Sequence, residues 1–145
     1  MKKMDAKTIF QPKIWYIIAG AMALIGGIEN YYNAESWAEG AWGADGLNDQ
    51  SIAMEKLFGL FMAGFGAMGL TCAFVLDGKA QAKFALANGA VISLFFVAMF
   101  SLLPSTGYEM PGAGFLAPPF IFMGGLMASG YLHMNDDEAA PATEA

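Results

Sequence analysis

Five polar residues at the ends of long apolar runs are the side chains of this sequence best placed to do chemistry. They are Glu29, Glu55, Lys56, Tyr108 and Glu109. A carboxylate beside an apolar run is costly to bury unless it is paired or faces water. The two glutamates that end and begin such runs therefore indicate either a small polar pocket for a ligand or proton, or an interfacial ion pair of Glu29 with Lys56. The ion pair is the simpler interpretation, because charges near a membrane interface are only mildly penalised.

The other reactive side chains are too few for most kinds of catalysis. Cys72 is the single cysteine and His133 the single histidine, which excludes a dithiol redox pair and a bis-histidine haem within one chain. All seven basic residues are lysines, so the chain has no Arg for a bidentate clamp on phosphate or carboxylate. The eleven methionines form no tight motif and suit the filling of gaps in an apolar core better than copper binding. We therefore expect no catalytic residues, no metal and no resident cofactor.

One stretch of acidic residues could suggest calcium, but its spacing does not support a calcium site. Asp45, Asn48 and Asp49 lack the spacing of an EF-hand loop and its terminal glutamate. The surrounding loop, 31–51, mixes tyrosines and tryptophans with acids and glycines. That composition is typical of a short amphipathic segment on the outer leaflet, or of a docking surface.

The composition predicts a membrane protein. Hydrophobic residues make up 57% of the chain and charged residues only 14%, which is too apolar for a soluble domain of 145 residues. Four apolar runs have the length of about 20 residues that a membrane-spanning helix needs. They cover 14–32, 52–76, 84–103 and 113–133, and an acidic tail, 135–145, follows them. The predicted fold is an all-α integral membrane four-helix bundle (1–134) with a disordered cytoplasmic tail.

The first run has a competing interpretation as a secretory signal peptide. Lysines precede it and the small residues Ala19, Ala21 and Ala23 lie within it, as they would before a cleavage site. The polar stretch before the apolar core is long, however, and aromatic residues continue beyond it as an interfacial belt. A retained helix explains those aromatic residues better.

The fourth run contains Pro118 and Pro119. A proline pair in mid-helix loses backbone hydrogen bonds that lipid cannot replace, whereas proline is favoured in a first helical turn. We therefore expect the regular helix to begin near Pro118, with residues 112–117 as an interfacial lead-in. A kinked helix that begins earlier is the alternative.

The distribution of lysines predicts the orientation in the membrane. Short loops rich in Lys stay in the cytoplasm, and lysines precede the first run and separate the second from the third. The opposite side is acidic, with Lys56 as its one basic residue. Both termini are therefore expected on the cytoplasmic side of a bacterial inner membrane.

Small residues recur at four-residue spacing in every run and allow helix backbones to approach closely. They are Ala19, Ala23 and Gly27; Gly59, Ala63 and Ala67; Ala85, Gly89 and Ser93; and Gly125 and Ser129. Packing within one chain is the simpler interpretation, and a homo-oligomer or another membrane subunit is the alternative. Nucleic acid is not an expected partner, since the net charge of -6 comes mainly from one loop and the tail.

The general plan resembles the small bacterial four-span proteins of the DoxX-like group. The similar features are EKLFG at 55–59, the glycines between 64 and 69, and GYEMP at 107–111. The resemblance implies an accessory protein of the bacterial inner membrane, sometimes associated with redox systems. It implies no catalytic residues.

These observations lead to two functional hypotheses. The first is a non-enzymatic accessory or structural subunit that packs against other membrane proteins or lipid. The second is a binder of a small amphipathic ligand, such as a quinone or lipid, at the outer mouth of the bundle near Glu29 and Glu55. A membrane enzyme of the glutathione-transferring kind shares the four-helix plan, but it depends on arginines that this chain lacks.

Overall fold

The computed structural model describes residues 5–110 and 112–136, and within these ranges the chain is all-helical. The helices are α1 (Ala6–Ile9), α2 (Pro12–Tyr32), α3 (Ala34–Trp42), α4 (Asp49–Val75), α5 (Gly78–Leu102) and α6 (Ala113–His133), with 3₁₀ turns at Ala44–Gly46 and Leu103–Thr106. Each of the four predicted apolar runs overlaps one long helix, α2, α4, α5 or α6. The loop 31–51 contains the short helix α3, whose alanines are buried.

Three segments of the described chain are long and apolar enough to cross a membrane. They are Ala6–Tyr32, Asp49–Val75 and Gly78–Thr106. Their exposed surface carries large apolar side chains, including Phe61, Met68 and Leu94. Such a surface is expected where lipid rather than water is the solvent.

Helix α6 begins earlier than the proline pair predicts. It starts at Ala113 rather than near Pro118, so both prolines lie inside the helix. The first four N–H groups of any helix lack partners within it. Because the prolines follow directly after that first turn, they remove only two further hydrogen bonds, and they do so near the end of the helix. That position makes the earlier start tolerable.

Helices α2 and α4 pack antiparallel with their backbones in direct contact at glycines. A Cβ at Gly27 would collide with the backbone of Gly59 and Ala63, and a Cβ at Gly66 would collide with the backbone of Gly20 and Leu24. Side chains of any size would push the helices apart. Of the small residues predicted to form a helix contact in these two helices, Gly27, Gly59 and Ala63 meet inside the chain, whereas Ala67 is exposed. Gly20 and Gly66, which were not predicted, complete the contact.

Helices α5 and α6 form the second close pair. A Cβ at Gly130 would meet the backbone of Ala82 and Leu86, and a Cβ at Gly89 would meet Met127 and the backbone of Met123. The turn before α5 is held by Gln81, which donates hydrogen bonds to carbonyl oxygens at the end of α4, the shortest of 2.7 Å to Leu76. These bonds satisfy backbone groups that a helix end otherwise leaves without partners.

The two pairs join at one end of the bundle. The buried core there consists of Tyr16, Ala19, Ala73, Ala85, Met123 and Leu126. The Asn88 amide donates a 3.0 Å hydrogen bond to the Tyr16 hydroxyl, and the Trp15 ring lies against Gly125, where no Cβ would fit. Met123 lies at the middle of α6, and the others lie in the first half of α2 and α5 and the second half of α4 and α6.

The N-terminal segment contacts the end of α6. Lys7 forms an ion pair with Asp136, and the His133 ring lies between the Asp136 carboxylate, 2.7 Å from Nδ1, and the Lys7 carbonyl oxygen, 3.1 Å from Nε2. Hydrogen bonds from Lys7 and from His133 hold the pKa of the Asp136 carboxyl below its usual value. The start of the predicted disordered tail is thus held against the bundle. The rest of that tail, 137–145, lies outside the described residues.

We expect Gly66→Ala to destabilise the protein by about 1–3 kcal/mol, because the added methyl group overpacks the contact with α2. Gly64→Ala is the matched control, as a Cβ at Gly64 on the same helix meets nothing within 4 Å. The control should be neutral or slightly stabilising, since Ala is the better helix former. Thermal unfolding in detergent measures both, and equal stability of the two variants would contradict this account of the contact.

The contact of Asp136 with Lys7 and His133 should make stability depend on acid pH. A carboxyl whose pKa is lowered in the folded state contributes stability above its ordinary pKa, and that stability is lost as the pH falls through the lowered value. Asp136→Asn should therefore flatten the loss of melting temperature as the pH falls below about 4, the ordinary pKa of an aspartate. Asp77→Asn, at the start of α5 where the side chain forms no capping bond, should leave the slope unchanged. An unchanged slope in Asp136→Asn would exclude this contribution.

Candidate functional site

A cavity of about 540 Å³ lies between the two helix pairs, at the end opposite the core. Its apolar wall includes Phe58, Met62, Phe96, Met99, Phe100 and Leu116. Its polar end includes Glu29, Asn30, Trp37, Trp42, Glu55, Tyr108 and Glu109. A volume of this size, apolar with a few converging polar groups, is typical of sites for small molecules.

Glu55 is the buried charge of the cavity. Asn48 caps the first turn of α4 in a reciprocal pair of hydrogen bonds with Ser51, and Ser51, Glu55 and Gly59 then form the buried face of that helix. The Glu55 side chain is only 4% exposed and accepts a 3.1 Å hydrogen bond from the Asn30 amide. Asn30 lies one turn beyond Gly27, opposite Glu55 across the close α2–α4 contact. The glycine contact thus brings the two polar side chains together.

Tyr108 reaches the same carboxylate from the connection before α6. Gly107 has a φ of 86°, a conformation that favours glycine, and the Glu109 N–H donates a 2.7 Å hydrogen bond to the Ala41 carbonyl at the end of α3. Tyr108 packs edge-on against Trp42, with ring centroids 5.4 Å apart. Burial, then the charge of Glu55 and the hydrogen bond to it, raise the pKa of Tyr108 to about 12. The phenol therefore stays protonated beside the Glu55 carboxylate, to which its hydroxyl can donate.

Glu29 lies at the edge of the cavity and is exposed. Its carboxylate accepts hydrogen bonds from the Asn33 amide, 2.9 Å, and from the Trp37 indole N–H, 3.0 Å. The predicted ion pair with Lys56 is wrong: among the residues described, Lys56 forms no salt bridge with Glu29 and does not line the cavity. Lys56 follows Glu55 on the same helix, so the two side chains point in different directions. Burying Glu55 therefore turns Lys56 outward.

Two buried polar atoms of the cavity wall have no hydrogen-bond partner in the described structure. They are the Asn30 carbonyl oxygen Oδ1 and the Trp42 indole Nε1. Asn30 is 5% exposed. A buried polar atom left without a partner costs free energy comparable to a lost hydrogen bond, so each is a position that a bound molecule could satisfy.

Four of the five candidate residues named from the sequence line this cavity: Glu29, Glu55, Tyr108 and Glu109. It missed Asn30, Trp37 and Trp42, and it assigned the methionines to packing although Met62 and Met99 line the cavity. Of these residues, only Asn30 could have been identified from the sequence, because its amide adjoins Glu29 at the end of an apolar run. The tryptophans look like ordinary interfacial anchors in sequence, and only the position of α3 turns them toward the cavity.

Within the ranges the structure describes, no three His, Cys, Asp or Glu side chains lie close enough together to hold a metal ion. Comparison with known proteins adds no assignment: the chain matches no family model, no curated protein and no solved structure. The functional argument therefore depends on the cavity itself.

Tyr108→Phe should lower stability by about 1–3 kcal/mol, because it removes a donor from a buried carboxylate. Tyr32→Phe is the control, since Tyr32 is 80% exposed. The loss should shrink in a Glu55→Gln background, where no charge needs that donor.

Wild-type stability should also fall between about pH 10 and pH 12, as the phenol with its raised pKa ionises, and Tyr108→Phe should lack that component. Thermal unfolding measures the stability of each variant at each pH. Additive losses of stability in the Tyr108→Phe, Glu55→Gln double variant would contradict the contact between these two side chains.

Proposed function

We propose that this protein is a four-span membrane protein that binds a small amphipathic molecule in the cavity between its two helix pairs. The observation that carries the proposal is the combination of an apolar cavity of about 540 Å³ with a buried carboxylate and two unpartnered polar atoms at one end. An amphipathic molecule matches both parts, because its apolar body fills the wall region and its polar end reaches Glu55. A quinone or a lipid belongs to this class.

The fourth crossing is supported by the contact between the two ends of the described chain. Lys7 precedes α2, and His133 and Asp136 lie at the end of α6, yet these residues touch. Both ends therefore lie on one side of the bundle. Three crossings would leave the ends on opposite sides, so a chain whose α2, α4 and α5 cross a membrane needs α6 as a fourth span.

The lysines favour an orientation with the core end in the cytoplasm. Lys7, Lys13, Lys79 and Lys83 all lie at that end, in or near the first turns of α1, α2 and α5. Among the lysines that the structure describes, Lys56 alone lies near the cavity end. By the preference of basic residues for the cytoplasmic side, the cavity opens toward the outer face of a bacterial inner membrane. A ligand would reach it from the outer leaflet or from the space beyond.

A non-enzymatic accessory subunit is the second candidate. The exposed apolar surface of α4 and α5 and the resemblance to the DoxX-like group favour it. The glycine contacts weigh against a dedicated dimer face, because Gly20, Gly27, Gly59 and Gly66 already pack inside the chain. Lipid alone accounts for the apolar surface, and it leaves the cavity and its unpartnered polar groups without a role. Ligand binding explains more of the structure.

Filling the cavity tests the proposal. Met62→Trp places an indole in the cavity, where Met62 lies beside Gly26, and should reduce any bound molecule by about tenfold or more, the effect of a clash of roughly 1.4 kcal/mol. Met68→Trp is the matched control on the same helix, at a side chain that is 62% exposed and does not line the cavity. Native mass spectrometry of gently extracted protein measures the bound mass.

The wild-type chain and Met68→Trp should carry the same additional mass, and Met62→Trp should have lost it. Retention of that mass by a folded Met62→Trp would show that the molecule is bound elsewhere. A wild-type chain with no additional mass, and with no saturable binding of added amphipathic molecules, would overturn the proposal.

A further inference from the structure

We propose that the polar end of the ligand is a cation, an ammonium group on an apolar body, which binds against the hydrogen-bonded pair of Glu55 and Asn30. The inference rests on the proposed function and names its ligand class: a lipophilic amine rather than a neutral quinone or an anionic lipid.

The charge of the cavity is the first argument. Glu29, Glu55 and Glu109 line its polar end, and none of the residues that line it in the described structure is a lysine or histidine. Glu55 is the buried member of this set. A buried carboxylate is stabilised by a nearby cation, and uncompensated charge in an apolar surrounding is expensive. The protein supplies donors to Glu55 from Asn30 and Tyr108 but no cation, so a cationic ligand provides what the site lacks.

The hydrogen-bonding groups give an independent argument. A carboxylate only accepts, so the Asn30 amide must direct its NH₂ group toward Glu55, and this leaves its carbonyl oxygen as the unpartnered atom. That oxygen needs a donor. The carbonyl oxygens of a quinone only accept, as do those of a carboxylate or phosphate, so none of them satisfies it. An ammonium group with N–H bonds can donate to Asn30 and to Glu55 at once, whereas the other unpartnered atom, the Trp42 indole N–H, is left for an acceptor elsewhere on the ligand.

The aromatic side chains favour the same ligand. Trp37, Trp42 and Tyr108 surround the polar end of the cavity. Aromatic rings attract cations, most strongly where water is excluded. The body of the ligand would lie along Phe58, Met62, Phe96 and Phe100, in a wall that offers apolar contact and few polar groups. An anion would meet three carboxylates at the polar end and is selected against.

The test compares three probes with the same eight-carbon chain: octylamine, 1-octanol and octanoate at about pH 7, where the amine is protonated like a lysine side chain. The protein is placed in nanodiscs of zwitterionic phosphatidylcholine, and empty nanodiscs correct for partition into lipid. Binding is followed by the fluorescence of the tryptophans, two of which line the cavity. Octylamine should bind about tenfold or more tightly than octanol, and octanoate should bind most weakly.

Glu55→Gln should weaken the binding of octylamine by about tenfold and change the binding of octanol much less, because only the cation uses the charge. Glu35→Gln is the matched control, an exposed acid on α3 that does not line the cavity, and it should change neither. The comparison of the three probes uses the wild-type chain, so it stands even if Glu55→Gln fails to fold.

The outcomes separate the ligand class from the proposed function. The proposal of a cationic ligand would be overturned if octylamine and octanol bound saturably with equal affinity, or if octanoate bound more tightly. The site would then still bind amphipathic molecules. Absence of saturable binding for all three probes would overturn the cation, and the proposed function with it if wild-type protein also carries no bound mass.

Discussion

Direct backbone contact between α2 and α4 is the constraint on which the remaining structure depends. Gly27 and Gly59 face each other where no Cβ fits, as do Gly20 and Gly66. In lipid the driving force for helix association is van der Waals packing rather than exclusion of water, so close approach of this kind sets the strength of the pair. The same contact sets the register of α2 against α4. Asn30 and Glu55 meet because each lies one turn from the Gly27–Gly59 contact, on the face that this contact buries.

The cavity follows from how the second pair is attached to the first. The side chains that join the pairs, Tyr16, Asn88 and Trp15 against Gly125, all lie in one half of the bundle. In the other half the large rings of Phe58, Phe96 and Phe100 line the cavity between the pairs. These apolar side chains surround a space which nothing in the described chain fills. Such a space is costly in a rigid core, because the lining atoms lose their contacts, and it is tolerated where a ligand or lipid occupies it.

Polar groups concentrate at the open end of this space, where the connections of the bundle meet. Helix α3 and the Gly107–Glu109 turn are joined by a backbone hydrogen bond and by the contact of Trp42 with Tyr108. Together they cover the end of the cavity and direct Tyr108 toward Glu55. A carboxylate so enclosed must be satisfied from within the protein or by what the protein binds. Asn30 and Tyr108 satisfy the carboxylate from within the protein. The unpartnered Asn30 oxygen leaves a hydrogen bond for a bound molecule to make.

Apolar length and composition were enough to predict the four long helices, because a run of about 20 apolar residues allows few other structures. The same reasoning located Glu29, Glu55, Tyr108 and Glu109 at one end, since charges adjoin the ends of such runs. It could not place Lys56, whose direction depends on which face of α4 is buried, nor the start of α6, where position within the helix determined the cost of Pro118. Sequence thus determined the helices and the end at which the polar groups gather. Only the tertiary structure decided which of those groups face one another. That depends on the glycine contact between α2 and α4, which arises from packing between segments far apart in the chain.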